Sequence, residues 1–117
     1  MAWRRVGRPE DFPEGRGRPV FYGQWRIAVF RVGGRLYAVG HDCPHQGGPL
    51  SQGRLVEGPC VVCPLHGWTF DLRTGRSVNV PGASVPTLPV ETRADGVYVW
   101  IPESAPETGD ERSGPSV

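Results

Sequence analysis

The chain has 117 residues and a formal net charge of +1, and all 13 of its basic residues are arginines. This length suits one domain, and a near-neutral chain with no arginine run longer than Arg4-Arg5 gives no sign of a nucleic-acid-binding surface. No apolar run reaches the roughly 18 residues that a membrane-spanning helix needs, and residues 1–5 lack the apolar stretch of a signal peptide, so we expect a soluble cytoplasmic protein with no membrane partner.

Glycine and proline are unusually frequent, with 17 and 13 residues. Together with the scarcity of helix-length apolar patterns, this composition favours turns and short strands. Trp3 and Val6 are predicted to begin an edge strand. Residues 25–32 and 35–39 form a predicted hairpin, because Gly33-Gly34 between them accepts the positive φ angles that tight hairpin turns require.

Three further hairpins are predicted beyond this one. They join residues 54–56 to 59–63, 69–72 to 76–78, and 88–92 to 97–101. Their turns contain Glu57-Gly58, Thr74-Gly75 and Asp95-Gly96, and Asp-Gly is a strong turn signal. The sequence therefore predicts an all-β fold built from short antiparallel strands.

Charge and composition change near residue 103. Residues 103–117 are polar and rich in Pro, Ser and Gly, with a formal charge of −3, whereas residues 1–102 carry +4. A segment without apolar periodicity cannot bury enough surface to fold by itself. We expect one domain over residues 1–102 and a disordered tail over residues 103–117.

Two short loops carry residues with metal-binding chemistry. Cys43-Pro44-His45 and Cys63-Pro64-Leu65-His66 each offer one thiolate and one imidazole, and seventeen residues separate His45 from Cys63. The prolines fix the backbone after each cysteine. Gly47, Gly48 and Gly67 permit tight turns whose N–H groups can point at a bound group of negative charge.

The residues that continue these loops carry a family resemblance. The first loop reads on as Gly47-Gly48-Pro49-Leu50 and the second as Gly67-Trp68-Thr69-Phe70-Asp71-Leu72. Over roughly residues 20–101 the chain resembles the Rieske ferredoxin family. The resemblance implies a Rieske β-sandwich with a small cluster-binding subdomain at about residues 41–82, covered on a third side by the proline-rich loop 80–86.

The resemblance also implies one [2Fe-2S] cluster and its ligands. In a Rieske centre two cysteines hold one iron and two histidines hold the other. Carried over by position, Cys43 and Cys63 bind one iron, and His45 and His66 bind the outer one. Each loop then reaches both metals.

The positions that distinguish high-potential members of the family differ in this chain. Those members join the two loops by an extra disulfide, and the corresponding positions are Gly48 and Leu65. They also present Ser and Tyr hydroxyls to the cluster, where this chain has Trp68 and Phe70. We therefore expect a reduction potential at the low end of the Rieske range, about −150 mV.

Two other interpretations of the cysteines stay open. Two Cys and two His could hold a structural zinc, although zinc fingers usually place both cysteines before both histidines. Cys60 and Cys63 match a C-x-x-C redox pair, but Cys60 is flanked by apolar residues and is expected to be a core thiol. Three cysteines, two of them committed to iron, fit a reducing compartment.

The residue inventory favours an electron carrier over an enzyme. His41 is the only histidine left after cluster ligation, too few for the mononuclear iron of a Rieske oxygenase, and no GxGxxG motif for a nucleotide cofactor occurs. We expect a ferredoxin that carries single electrons from a flavin reductase to a terminal oxidoreductase such as a ring-hydroxylating oxygenase. The alternatives are the small subunit of an assimilatory NAD(P)H nitrite reductase, whose large subunit would be the partner, and, more remotely, a zinc-stabilised interaction module.

The predicted docking surface is a small apolar collar around the cluster loops. Its expected members are Gln46, Leu50, Trp68 and Pro81, with burial of Trp68 against Phe70 and the sheet as the alternative for that residue. Weak redox encounters bury less than about 1,200 Å², so such a collar would suffice. His41 is assigned no role.

Overall fold

The structure is a computed structural model of the chain, and it describes residues 2–42, 48–65 and 67–102. Three predicted ligands, Cys43, His45 and His66, lie outside the described residues, as do Gln46 of the predicted collar and the predicted tail at 103–117.

The described residues form ten strands. In chain order these are β1 (Ala2–Gly7), β2 (Gly17–Tyr22), β3 (Trp25–Val32), β4 (Arg35–Gly40), β5 (Arg54–Val56), β6 (Cys60–Val62), β7 (Thr69–Asp71), β8 (Thr87–Leu88), β9 (Val90–Arg93) and β10 (Gly96–Ile101). Two single 3-10 turns, Pro9–Asp11 and Leu50–Gln52, lie between strands. No helix in the described ranges is long and apolar enough to cross a membrane.

The strands make three antiparallel sheets. A central sheet has the order β2-β3-β4-β8, a second has β1-β10-β9, and the third has β5-β6-β7. The fold is therefore all-β, as the composition predicted. The third sheet carries the second predicted loop at the end of β6.

The central sheet is buried on both faces. Along β3, Ile27 and Val29 belong to a core shared with the β1-β10-β9 sheet, whereas Ala28 and Phe30 belong to a core shared with the β5-β6-β7 sheet. Successive side chains of a strand point to opposite faces. This placement explains why β3 contains the continuous apolar run Ile-Ala-Val-Phe instead of an alternating pattern.

Most of the predicted hairpins are confirmed. Gly33-Gly34 joins β3 to β4, Glu57-Gly58 lies in the turn between β5 and β6, and Asp95 lies in the turn between β9 and β10. The predicted N-terminal edge strand is also present, since β1 pairs only with β10.

The predicted strand over residues 88–92 is wrong, because it is two strands in different sheets. Pro89 separates β8, which pairs with β4, from β9, which pairs with β10. A proline has no N–H to donate to a ladder, and the Pro89 carbonyl accepts the Trp100 N–H at 2.9 Å. The chain therefore changes sheets at Pro89.

Residues 76–78 do not form the predicted strand either. Ser77 makes only an isolated bridge to Phe70, and Arg76 makes one to Ser84. In contrast, the sequence analysis did not predict β2. Its residues Gly-Arg-Pro-Val-Phe-Tyr include a proline and show no alternation of apolar and polar side chains. Pairing with the buried β3 makes this segment a strand.

Candidate functional site

Cys63 is the predicted ligand that the structure describes. It follows β6 directly, it is 3% exposed, and its thiol forms no disulfide. Gly48, from the first loop, lies against it, because a Cβ atom built on Gly48 would be 2.7 Å from the Cys63 Sγ atom. The two loops therefore meet at the thiol that was predicted to bind iron.

The second loop is closed by its own backbone. The Cys63 N–H donates to the Trp68 carbonyl at 2.7 Å, and the Gly67 N–H donates to the Cys63 carbonyl at 3.1 Å. Gly67 has a φ of +76°, a conformation that favours glycine. The Gly67 N–H is thus engaged within the second loop, and hydrogen bonds from the remaining N–H groups of these turns to cluster sulfur stay a prediction.

A buried polar group anchors the first loop where it leaves β4. His41 is 5% exposed, and its Nε2 atom shares a hydrogen bond with the Ser51 hydroxyl at 2.9 Å. Its Nδ1 atom lies 3.2 Å from Asp42 Oδ1, and Arg26 Nε donates to the other oxygen of the Asp42 carboxylate at 2.8 Å. The Leu50 N–H donates to the His41 carbonyl at 2.9 Å. The residue before the first loop is therefore hydrogen-bonded to the residue after it.

Sequence reasoning assigned no role to His41 and overlooked Ser51. The His41 imidazole is held by one partner before the first loop, Asp42, and one after it, Ser51. A Ser ten residues after a His carries no signal by itself. Only the 3-10 turn that starts at Leu50 brings the two side chains together.

The predicted collar is only partly correct. Leu50 is wrong as a member, because it is completely buried in the core beside Phe30 and Val61. Trp68 is half-buried and packs against the same core, and Pro81 is exposed. The exposed large apolar side chains on and beside the second loop are Leu65 and Val78, at 51% and 61% exposure.

Cys60 has the properties expected of a core thiol. It lies on β6 and is 6% exposed. Burial, followed by the nearby Asp71 carboxylate, raises the pKa of the Cys60 thiol above its ordinary value. A thiol held in its protonated form is a poor nucleophile and a poor metal ligand.

Metal-ligating side chains do not cluster within the part of the chain that the structure describes: no group of three or more His, Cys, Asp or Glu there could hold a metal ion. The loop at 80–86, which is predicted to cover the cluster, lies within the described residues. Its residue Val85 is buried in the core, and the Val85 N–H donates to the Gly75 carbonyl at 2.7 Å. Its covering role stays a prediction.

Comparison with known proteins gives a consistent result. The family described as Rieske [2Fe-2S] domain matches residues 2–89. The 3-phenylpropionate/cinnamic acid dioxygenase ferredoxin subunit of Escherichia coli (strain K12) is 34% identical over 97 residues, which cover 82% of this chain and 91% of that protein.

Two solved structures are similar in both sequence and fold. One is a chain of the complex of reduced oxygenase and oxidized ferredoxin in carbazole 1,9a-dioxygenase, with 33% identity, a TM-score of 0.76, and coverage of 85% of this chain and 93% of that one. The other is the putative NADH-dependent nitrite reductase small subunit from Mycobacterium tuberculosis, with 27% identity, a TM-score of 0.79, and coverage of 87% and 96%.

Proposed function

Because this chain belongs to the Rieske [2Fe-2S] domain family, we propose that it is a ferredoxin that carries single electrons from a flavoprotein reductase to a terminal ring-hydroxylating oxygenase. The cofactor is a Rieske-type [2Fe-2S] cluster, which accepts and releases one electron at a time. Cys43 and Cys63 are the proposed ligands of one iron, and His45 and His66 are those of the other.

The residues that the structure describes fit this group. A cluster ligand must be a free cysteine that can lose its proton to a metal, and Cys63 is free, buried and located at the start of the second loop. Gly48 permits a close approach of the first loop to this sulfur, because a Cβ atom there would lie 2.7 Å from Sγ. The hydrogen bonds of Cys63 with Gly67 and Trp68 tie together the described residues on either side of His66, which favours a preorganised metal site.

The 34% identity to a dioxygenase ferredoxin subunit over most of both chains is the observation that carries the proposal. The oxygenase as electron acceptor follows from that relative and from the ferredoxin in complex with an oxygenase. We assign the carrier to residues 1–102 with its cluster-binding part at about 41–82, and leave the tail at 103–117 without a role in electron transfer. A reducing cytoplasm would keep Cys60 as a free thiol.

The nitrite reductase subunit is the second candidate, because a structure with that description has the same fold at 27% identity. In that case the chain would be a bound subunit of a larger enzyme. Both candidates are non-catalytic electron-transfer components with the same cluster. They differ in whether the chain dissociates from its redox partner between electron transfers or stays bound to it as a subunit.

Purification from the native cells separates the two. The holoprotein should elute from a sizing column at the mass of a small free chain, and it should be reduced by a flavoprotein reductase fraction of the same cells. It should then pass its electron to an oxygenase fraction. Stoichiometric elution with a sirohaem protein would show instead that the chain is a nitrite reductase subunit.

A further inference from the structure

Asn79 binds the second loop through its side chain. Its Oδ1 atom accepts the Thr69 N–H at 3.0 Å, and its Nδ2 atom donates to the Gly67 carbonyl at 3.0 Å. A residue of a parallel neighbouring strand would make the same two bonds with its own N–H and C=O, one to each side of Trp68. The carboxamide thus pairs with the loop as a short piece of strand would.

The orientation of this carboxamide is itself fixed. Oδ1 also accepts the Ser77 hydroxyl at 3.1 Å, and the Ser77 oxygen accepts the backbone N–H groups of Asn79 and Val80 at 3.3 and 2.9 Å. The Val78 N–H donates to the Thr69 carbonyl at 2.8 Å. Segment 77–80 is therefore tied to the loop by both backbone and side chain.

The backbone conformation at Gly67 depends on hydrogen bonds more than it would at a residue with a side chain. Gly67 has no side chain, and no atom lies within 4 Å of the place where its Cβ would be. Its peptide groups are held by hydrogen bonds alone: the N–H by Cys63, and the carbonyl by Asn79 and by the Thr69 hydroxyl at 3.0 Å. Fixing the Gly67 peptide fixes the backbone that leaves residue 66.

We propose that Asn79 is a positioning residue for the cluster: its carboxamide holds the backbone after His66 and thereby sets how the His66 imidazole binds the outer iron. This inference rests on the proposed role of His66 as a ligand. Asn79 is exposed to solvent, where water competes for the same groups, so its loss should change the ligand geometry and leave the fold intact.

The test compares the holoproteins of Asn79→Leu and Val78→Ala. Leucine has nearly the shape of asparagine but cannot make the bonds to Gly67 and Thr69. Val78 lies on the same segment with its side chain 61% exposed, and its variant keeps the backbone bond to Thr69, so it is a matched control. Thr69→Val removes the hydroxyl that donates to the Gly67 carbonyl and accepts from Asn79 Nδ2 at 3.5 Å. It keeps the carboxamide bonds to the backbone and so provides a milder variant.

Two measurements are made on each protein: the rate of cluster loss to a chelator, and the histidine nitrogen couplings of the reduced cluster in pulsed EPR. Asn79→Leu loses the carboxamide bonds to Gly67, Thr69 and Ser77. It should therefore lose its cluster about five- to tenfold faster than wild type, and one nitrogen coupling should shift or broaden. Thr69→Val should change the same coupling less, and Val78→Ala should match wild type within about twofold.

Couplings in Asn79→Leu that match those of Val78→Ala would overturn the positioning role, even if its cluster were lost faster. If Asn79→Leu failed to fold, Asn79→Ala, which also removes the carboxamide, would be measured in its place, and unchanged couplings there would overturn the role equally. The ligand assignment is tested separately, because retention of both couplings in His66→Cys would refute His66 as a ligand whatever Asn79 does.

Discussion

Gly48 and Cys63 lie so close that a single methyl group on Gly48 would sit 2.7 Å from the Cys63 Sγ atom and 3.1 Å from Leu65 Cγ. Both residues are buried. The backbone of the first loop thus rests directly on the thiol of the second, with room for a hydrogen atom only. The close approach links the two loops without a covalent bond.

Gly48→Ala should therefore disturb the cluster site. The added methyl must displace the Cys63 sulfur or Leu65, and overpacking of this kind costs about 1–3 kcal/mol. We expect a lower iron and sulfide content per chain than in wild type. In the control Gly34→Ala, in the turn between β3 and β4, the new methyl has open space and cluster content should be unchanged. Equal content in both variants would contradict the prediction.

The same contact bears on the reduction potential. Gly48 and Leu65 occupy the positions at which high-potential family members are expected to carry a disulfide, and the structure places them in contact. Phe70 is completely buried and has no hydroxyl to offer. An EPR-monitored redox titration should give a midpoint near the low end of the Rieske range, about −150 mV, and a clearly positive midpoint would refute this expectation.

Ser51→Ala should destabilise the holoprotein. It leaves the buried Nε2 atom of His41 without its hydroxyl partner, and a buried polar group deprived of its partner costs about 1–3 kcal/mol. Denaturant unfolding followed by tryptophan fluorescence measures the change. Ser84→Ala, at an exposed position, should stay within about 0.5 kcal/mol of wild type, and a Ser51 variant as stable as this control would count against the anchoring role of His41.

The Asp71 and Arg73 pair should give stability that depends on pH. Arg73 Nε and Nη2 donate to the two Asp71 oxygens at 3.1 and 2.9 Å, and these bonds hold the pKa of the Asp71 carboxyl below its ordinary value of 3.8. A carboxyl with a lowered pKa in the folded state stabilises the protein above the ordinary value, and this contribution is lost as the pH falls further.

Asp71→Asn should accordingly lower the melting temperature at pH 7 by about 2–4 °C, a small effect because Arg73 is largely exposed. The difference from wild type should shrink to nothing as the pH falls below about 3.8. Arg73→Ala should behave likewise at pH 7, and the double variant should lose little more than either single one. A difference that stayed constant from pH 3 to pH 7 would exclude the charge of Asp71 as its cause.

Local sequence patterns were sufficient for the hairpins that end in the two loops. Gly33-Gly34 specifies its turn by positive φ, and the apolar residues of β3 predict a buried strand wherever the sheets lie. The close approach of Gly48 to Cys63 could not be predicted, because it joins residues fifteen positions apart through the packing of two sheets. Leu50 was misplaced for the same reason, since its neighbours in the core come from β3 and β6.

The polar contacts of the site were beyond sequence reasoning for a different reason. Asn79 and Ser51 are common surface residue types, and nothing in their sequence neighbours distinguishes them. Their roles arise from tertiary proximity to Gly67 and His41. The cysteine and histidine motifs were recognisable because metal chemistry restricts both residue type and spacing.

The most direct test of the ligand assignment counts the histidines on the cluster. The chain has three histidines, so pulsed EPR of the reduced protein can be compared among His41→Gln, His66→Cys and wild type. Wild type and His41→Gln should show coupling to two imidazole nitrogens, and His66→Cys should show one, with a lower potential because a thiolate adds negative charge. Loss of a coupling in His41→Gln, or two couplings in His66→Cys, would contradict the proposed site.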